Sequence, residues 1–257
     1  MGYERLSGKT AIISGGASGI GAASAKRFVE EGARVVIGDI DLAKSEALAA
    51  ELGPNALAIE LDVREPEHWQ SAFERASTLG DVTTLVNSAG VSIPGSIEDI
   101  DLDQFRATLS INLDGVFLGC KHAVAAMKAA SGGSIINVGS TLGVRSGAIF
   151  PAYSSSKGAV RMLSRSIALH CAAQGYDIRV NTLLPGAIHT EMVEGYIAAG
   201  KQAGQSRDQV IQGFASVHPM NRLGTATETA NAIVFLASNE SSFTTGADLP
   251  VDGGYLA

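Results

Sequence analysis

Three residues between positions 140 and 157 are suited to proton exchange with a substrate oxygen. Ser140 follows an apolar run of strand character, and Pro151 opens a helical pattern that holds Tyr153 and Lys157. Because the tyrosine and lysine are four residues apart, a helix places both side chains on one face. A free tyrosine has a pKa of about 10, and a nearby ammonium with a helix dipole is expected to lower it.

The same spacing also fits an ordinary polar helix start with a solvated lysine, so the remainder of the chain must decide. In the catalytic interpretation, Ser140 at the strand end holds a substrate oxygen while Tyr153 takes or gives its proton. Lys157 is then expected to lower the pKa of Tyr153.

Composition limits the classes of protein to consider. The chain has 257 residues, of which 46% are hydrophobic and 18% charged, which predicts one large domain over 1–257 with a sizeable core. The net charge of −7, without a basic block, argues against nucleic acid and anionic membranes as partners. The two cysteines exclude a disulfide scaffold and fit a reducing compartment.

The sequence predicts a cytoplasmic protein. Residues 1–9 contain no apolar core of a signal peptide, and no apolar run approaches the roughly 18 residues that span a bilayer. The five histidines show no paired metal-ligand spacing, so we expect no metal site, and His189 is interpreted as a loop residue.

A glycine-rich turn stands between an apolar strand, 9–14, and a helical segment, 22–31. Gly15 permits a tight turn, Gly19 lets the backbone approach a phosphate, and Gly21 lets the helix lie close to the strand. Free amides at the helix start would bind a pyrophosphate. An ordinary glycine-rich turn is the alternative, but the strand, the helix and an acid about twenty residues later favour a dinucleotide site.

Asp39 is that acid, at the end of the second predicted strand, 33–39, where a carboxylate pairs with ribose hydroxyls. A 2′-phosphate there would be repelled by about 3 kcal/mol per pair of unit charges at ~5 Å and an effective dielectric of ~20. No basic residue stands at Ala17, Ser18, Gly38 or Ile40 to offset this. We therefore predict NAD in preference to NADP; a helix-capping role before Asp41 is the alternative.

Strands and helices continue to alternate along the chain, which predicts an α/β fold with a parallel sheet. Asp62 and Asn87 close the third and fourth strands, on the ligand side of such a sheet. Asp62 could bond an adenine amino group, and Asn87 could touch the ribose or tie strand ends together; strand-end turn residues are the alternative. The predicted helices are 41–52, 65–79, 101–130, 151–174 and 225–239, and the further strands are 56–62, 82–87, 134–139, 176–184 and a short one within 246–255.

Two segments depart from regular patterning. Asn112 lies in the apolar helix 101–130, whose stop begins at Ser131; it is either a satisfied interior amide or a kink that holds a water near Lys157. Residues 187–222 interrupt the alternation at a strand's carboxyl end, as a mobile lid over a substrate would. The predicted pocket lining is apolar and favours a bulky alicyclic or aromatic substrate, with packing of the lid as the alternative role; it consists of residues of the 187–222 segment together with Leu142, Val144, Ile149, Phe150 and Met192.

Taken together, these motifs resemble the short-chain dehydrogenase/reductase family over essentially the full length. The family's Thr-Gly-x-x-x-Gly-x-Gly appears as Ser14-Gly15-Gly-Ala-Ser-Gly19-Ile-Gly21, and its Asn-Asn-Ala-Gly as Asn87-Ser88-Ala89-Gly90. Ser14 and Ser88 are departures, and the second puts a structural amide contact between strands in doubt. The catalytic tetrad maps onto Asn112, Ser140, Tyr153 and Lys157, and Pro-Gly-x-x-x-Thr onto Pro185-Gly186-Ala-Ile188-His-Thr190.

This resemblance implies a single-domain Rossmann-like fold, with a doubly wound parallel sheet of about seven strands in the order 3-2-1-4-5-6-7. It also implies reversible hydride transfer between NAD and a secondary alcohol or its ketone, and a homotetramer. Within the family, the chain is similar to bacterial secondary alcohol and 3β/17β-hydroxysteroid dehydrogenases. A non-catalytic NAD-binding regulator and a ketoacyl-type reductase are the alternatives.

The resemblance also assigns two sets of binding residues. The substrate set is Ser140, Leu142, Phe150, Tyr153 and Met192. The cofactor set is Gly15, Ser18, Gly19, Ile20, Gly21, Asp39, Ile40, Asp62, Val63, Asn87, Ala89, Gly90, Tyr153, Lys157, Pro185, Gly186, Ile188 and Thr190.

Overall fold

The computed structural model of the chain describes residues 4–130 and 132–257. The first three residues of the segment expected to lack a signal core, and the predicted helix stop at Ser131, lie outside the described residues. Within the described ranges, no helix combines the length and the apolar character that crossing a bilayer requires.

Nine strands are present in the described residues, and seven of them form one sheet in which every neighbouring pair is parallel. The strands are β1 Thr10–Ser14, β2 Arg34–Asp39, β3 Ala56–Glu60, β4 Val82–Asn87, β5 Gly133–Val138, β6 Ile178–Pro185, β7 Ile188–His189, β8 Gly224–Thr225 and β9 Asp248–Val251. The order β3-β2-β1-β4-β5-β6-β9 confirms the predicted fold, with β9 as its seventh strand. The two short strands β7 and β8 pair separately.

Helices cover both faces of the sheet. They are α1 Gly19–Glu30, α2 Leu42–Leu52, α3 Pro66–Ser77, α4 Leu102–Leu109, α5 Gly115–Ala129, α6 Pro151–Ala173, α7 Glu191–Gln202, α8 Arg207–Ala215 and α9 Ala226–Ala237. Because strand side chains alternate between faces, Ile13 packs into the core with Phe28 of α1, and Ile12 into the core with Trp69 of α3. The two cores hold the sheet between helix layers, and its carboxyl ends carry the loops described next.

The long helix predicted over 101–130 is interrupted. It consists of α4, a π-helical segment Ser110–Asp114 and α5. Such a segment inserts an extra residue into the helical ladder, and Asn112 lies inside it. The backbone is therefore irregular at this residue, while a kink there stays a prediction. The interruption at 187–222 contains β7, α7 and α8, so much of it is helical.

Candidate active site

Ser140 and Tyr153 are brought together by a short turn that packs against α6. Ser140 caps a 3₁₀ turn, Thr141–Gly143, and its Oγ accepts a hydrogen bond from the Leu142 amide at 3.1 Å. A Cβ on Gly143 would lie 2.7 Å from the backbone carbonyl carbon of Lys157, so only glycine allows the turn to approach the helix this closely. This contact places the serine beside the first turn of α6, which holds Tyr153.

Lys157 is buried one turn along α6 from Tyr153, as the four-residue spacing predicts. Its Nζ donates to the carbonyl oxygen of Val138 at 2.8 Å and lies 5.7 Å from the centroid of the Tyr153 ring. Burial lowers the pKa of this ammonium to about 8. Lys157 is therefore held at the end of β5 and faces the side of the phenol ring.

The expectation that Lys157 makes the phenol acidic is wrong for the protein alone. Burial raises the pKa of Tyr153 to about 12, because a phenolate loses hydration there. The Ser140 hydroxyl acts in the opposite direction but is outweighed, and the neighbouring Tyr196 adds to the increase. Tyr153 is thus a protonated phenol near neutral pH, ready to donate a proton.

Asn112 is completely buried, and its side chain makes three hydrogen bonds. Its Oδ1 accepts from the Val91 amide at 2.8 Å, while its Nδ2 donates to the Val91 carbonyl at 2.9 Å and to the Ser156 hydroxyl at 3.1 Å. The side chain therefore matches the satisfied interior amide, and it fixes the loop after β4 to α6. Its association with a relay water stays a prediction.

The glycine turn and Asp39 form one unit. A Cβ on Gly15 would lie 2.6 Å from the backbone of Ala89, and one on Gly21 would lie 2.0 Å from the carbonyl oxygen of Gly15. Asp39 accepts from the Ala17 amide at 3.0 Å through one carboxylate oxygen and from the Asp41 amide at 3.1 Å through the other. The carboxylate thus fixes the turn while its charge stays at the end of β2.

The other predicted residues around this turn occupy different environments. Ile40 exposes 71% of its surface beside Asp39, whereas Val63 is buried against the start of α5. Asp62 accepts from the guanidinium of Arg64 at 2.9 Å, and this contact holds the pKa of its carboxyl at about 2. An adenine amino group would therefore share Asp62 with this arginine.

Asn87 ties strand ends together, which was one of its two predicted roles. Its Nδ2 donates to Oδ1 of Asn137 on the neighbouring strand at 2.8 Å, and the side chain is almost completely buried. Nearby, a Cβ on Gly90 would lie 3.4 Å from Nζ of Lys157. Residues 87–90 therefore connect the glycine turn to the lysine, across the tops of β1, β4 and β5.

Residues 185–190, called the 185–190 loop below, run from the end of β6 through the short strand β7 and reach back to the glycine turn. A Cβ on Gly19 would lie 3.3 Å from Cγ2 of Thr190, so the two segments face each other closely. The hydroxyl of Thr190 donates to the carbonyl of Ile188 at 3.3 Å. His189, interpreted from the sequence as a loop residue, lies in the short strand β7 instead, and its Nε2 is 2.7 Å from a carboxylate oxygen of Glu194.

The predicted substrate side of the site contains a connected row of aromatic rings. Phe150 packs edge-on against Tyr153, with ring centroids 6.5 Å apart, and against Tyr196 of α7 at 5.9 Å. Tyr196 in turn packs on Phe214 of α8 at 5.6 Å. Leu142 lies beside Phe150, since a Cβ on Gly147 would approach both side chains. Met192 is partly exposed on α7, one turn before Tyr196, and Val144 and Ile149 are about half exposed.

Comparison with known proteins decides the family. A family model described as Enoyl-(Acyl carrier protein) reductase matches residues 15–256, and full-length relatives share about two fifths of their residues with the chain. The chain belongs to the short-chain dehydrogenase/reductase family. This confirms the resemblance that the glycine turn, the Asn87 segment and the Tyr153 helix carry.

Three relatives in this family illustrate its range. The 2,5-dichloro-2,5-cyclohexadiene-1,4-diol dehydrogenase of Sphingobium indicum is 39% identical over 256 residues, covering 98% of each chain. The NADP-dependent (R)-specific alcohol dehydrogenase of Lentilactobacillus kefiri is 41% identical over 258 residues, covering 99% of each. The 3-beta-hydroxysteroid dehydrogenase of Comamonas testosteroni is 40% identical over 259 residues, covering 98% of each.

Short-chain dehydrogenases of this kind act on CH–OH groups with a nicotinamide cofactor, and the chain is an oxidoreductase of secondary alcohols and ketones. The residues present fit such a cofactor. Ser18 precedes α1 without capping it through its side chain, which leaves the first amides of the helix for a pyrophosphate. Gly19 lies close to Thr190, and Gly90 lies close to Asn112 and Lys157, so both glycines belong to the same group of predicted site residues.

Several residues around the site escaped sequence reasoning. Val138 binds Lys157 through a main-chain carbonyl, and Ser156 binds Asn112 across 44 positions of sequence. His218 contacts the 185–190 loop from a distant segment. Neither a carbonyl contact nor a pairing between distant segments leaves a local signal. Only the i, i+4 spacing of Met192 and Tyr196 on an amphipathic helix could have indicated that Tyr196 lies on the same face of α7 as Met192.

Proposed function

We propose that the chain interconverts an alicyclic, aromatic or steroid-like secondary alcohol and its ketone, with NAD preferred over NADP and Tyr153 as general acid and base. The observation that carries this proposal is the convergence of Ser140, Tyr153 and Lys157 beside the glycine turn. The homotetramer and the cytoplasmic location stay predictions.

The chain's own residues would divide the chemistry as follows. The Ser140 hydroxyl binds the substrate oxygen, and the Tyr153 hydroxyl exchanges a proton with it. Lys157 orients this end of the site, with Nζ anchored on Val138. When bound, the nicotinamide supplies or accepts the hydride and, in its oxidised form, brings a positive charge near the phenol.

The raised pKa of Tyr153 makes the two directions unequal. A phenol with a pKa of about 12 is already the acid that ketone reduction requires. Alcohol oxidation near pH 8 requires the phenolate, which lies about 5 kcal/mol higher in the protein alone. The positive charge of the oxidised cofactor and that of Lys157 are the two groups suited to reduce this difference.

Asp39 supports the preference for NAD. Its carboxylate is fixed at the end of β2 by the amides of Ala17 and Asp41, so it cannot swing away from a 2′-phosphate without releasing both. None of the positions that could offset this repulsion, 17, 18, 38 and 40, carries a positively charged side chain. Lys44 is paired with Asp41 and Glu191. One relative is named as NADP-dependent, so cofactor preference must be measured on this chain.

The aromatic row supports a ring-shaped substrate under a lid formed by residues 187–222. Phe150 and Tyr196 present ring edges and faces between the catalytic tyrosine and α8, surfaces on which a flat or alicyclic body packs well. Relatives named for a cyclohexadiene diol and for a hydroxysteroid act on compounds of this shape.

Replacement of Tyr153 by Phe tests the proposal. Loss of the phenol oxygen should lower kcat by about 10²–10⁴-fold with a cyclic alcohol and NAD, read at 340 nm, while NAD affinity stays nearly constant. Tyr196→Phe, which removes a phenol oxygen from the same aromatic row, is the matched control and should retain most of kcat. A Tyr153→Phe enzyme with near-normal kcat would refute the assigned acid and base. Tight NAD binding without turnover, across cyclic alcohols and hydroxysteroids, would instead favour the regulator.

A further inference from the structure

We infer that His218 is a positioning residue for the nicotinamide end of the cofactor site. Its ring fixes the backbone turn at residues 185–187, which precedes Thr190. The inference rests on the proposed assignment of the 185–190 loop to the nicotinamide. It gives a distant, buried histidine a role in the geometry of that loop.

Both nitrogens of the His218 ring are used. Nε2 accepts a hydrogen bond from the Ala187 amide at 3.0 Å, and Nδ1 lies 2.8 Å from the carbonyl oxygen of Phe214. An amide can only donate and a carbonyl can only accept, so the contacts assign the proton to Nδ1. The ring is 6% exposed, so water cannot readily replace either bond.

The absence of a side chain at Gly186 makes room for the His218 ring. A Cβ there would lie 2.6 Å from Nε2 of His218, so any other residue would displace the ring. The opposite side of the histidine packs on Tyr255, with ring centroids 5.3 Å apart. The imidazole is therefore held between the C-terminal segment and the turn that it supports.

The remaining anchors of the turn are main-chain bonds. The Gly186 amide donates to the Val251 carbonyl at 3.1 Å, and the Gly224 amide donates to the Ala187 carbonyl at 2.9 Å. Among the residues that the structure describes, His218 supplies the only side-chain hydrogen bond to the backbone of 186 or 187. Substitution of His218 therefore removes one anchor of the turn and leaves residues 185–187 unchanged.

His218 also joins this turn to the proposed lid. Its Nδ1–H holds the last turn of α8, and the ring of Phe214 in that turn packs on Tyr196. Loss of this bond leaves the partly buried Ala187 amide without its partner, and the turn is then expected to shift. A small shift of this turn would weaken the proposed contacts between the 185–190 loop and the nicotinamide, because such contacts depend on position.

Three variants separate the two nitrogens. His218→Gln can return an acceptor oxygen close to the position of Nε2, whereas His218→Asn can return only a donor close to Nδ1. His218→Phe keeps a ring for Tyr255 but removes both polar atoms. Binding of NADH and of ADP-ribose, which lacks the nicotinamide, is then measured by calorimetry on each folded full-length variant, with its melting temperature.

We expect the Asn and Phe variants to bind NADH about tenfold more weakly, a difference of about 1.4 kcal/mol. Their affinity for ADP-ribose should stay within about twofold, and Gln should recover most of the NADH affinity. If the Phe variant does not fold, the contrast between Gln and Asn carries the test.

Two results would overturn the inference alone: wild-type NADH affinity in the Asn variant, or equal losses of NADH and ADP-ribose affinity. A wild-type protein that binds NADH no more tightly than ADP-ribose would overturn the assignment of the loop itself, and the inference with it. The inference is supported if the Asn and Phe variants lose affinity for NADH but keep their affinity for ADP-ribose.

Discussion

Replacement of Asp39 by Asn removes one negative charge at the point where NAD and NADP differ. At ~5 Å and an effective dielectric of ~20, one pair of unit charges repels by about 3 kcal/mol, which corresponds to roughly 150-fold in affinity. Screening by salt at an exposed ribose reduces this. We therefore expect the loss of this repulsion to favour NADP over NAD by about 10- to 100-fold in kcat/KM.

The same substitution should weaken NAD for a separate reason. Asp39 accepts the Ala17 amide through one oxygen and the Asp41 amide through the other. An asparagine has a single acceptor oxygen, so one amide loses its partner and meets an NH₂ group instead. The loss of such a bond costs about 1–2 kcal/mol, or about 5- to 30-fold in NAD affinity.

The ratio of kcat/KM for NAD to that for NADP should thus fall by about 10- to 100-fold, measured with one cyclic alcohol at fixed ionic strength, because the lost amide bond affects the turn for both cofactors and cancels from the ratio. Asp41→Asn is the matched control. It removes the same charge two positions along the chain, from a side chain that caps α2 through the Lys44 amide, and should change the ratio only slightly. An unchanged ratio in the Asp39 variant would refute the proposed origin of cofactor preference.

Two other substitutions test the supports of the fold and site. Asn112→Ala leaves both main-chain groups of Val91 without their side-chain partners, so we expect the free energy of unfolding to fall by about 2–4 kcal/mol in urea. Asn112→Asp keeps the acceptor but turns a second carboxylate oxygen toward the Val91 carbonyl and should lower stability at least as much, and equal stability of the Ala variant and the wild type would contradict the role of Asn112 in holding Val91. Glu31 is buried beside Arg5, whose hydrogen bond holds the pKa of the carboxyl at about 2. Because this folded-state pKa is below the unfolded value, its stabilisation is present above about pH 4.5 and lost as pH falls toward 2; Glu31→Gln should flatten that acid-side slope, and parallel slopes would contradict the assignment.

Much of the framework could be predicted because its signals are local. Apolar runs of four to six residues between glycine turns predicted β1 and β2, and the acid at position 39 marked the end of β2. The helix over 151–174 was predicted within a residue because Pro151 opens it and Gly175 follows it. The π-helical segment was not predicted as such, since i→i+5 bonding has no residue pattern of its own.

The environments of the site residues were less predictable, because they depend on contacts between distant segments. The position of Asp62 before Arg64 was visible, but whether the two would bond depended on rotamers. His218 is 31 positions from Ala187, and no periodicity connects them. For the protein alone, the pKa of Tyr153 is shifted in the direction opposite to the predicted one, because spacing shows the neighbouring charge but not the burial that opposes it; the part of the prediction that includes a bound nicotinamide stays a prediction.

The burial of Lys157 and the partial burial of Tyr153 determine how the proposed acid and base would respond to a bound cofactor. Burial disfavours the charged form of each group, so it raises the pKa of the phenol to about 12 and lowers that of the ammonium to about 8. A site of low polarity also strengthens the effect of any charge brought close to it. The redox state of a bound nicotinamide would then alter the acidity of Tyr153 more than it could in a solvated site. Because the raised pKa keeps the Tyr153 phenol protonated in the protein alone, its ionisation would depend on the charge of the bound cofactor.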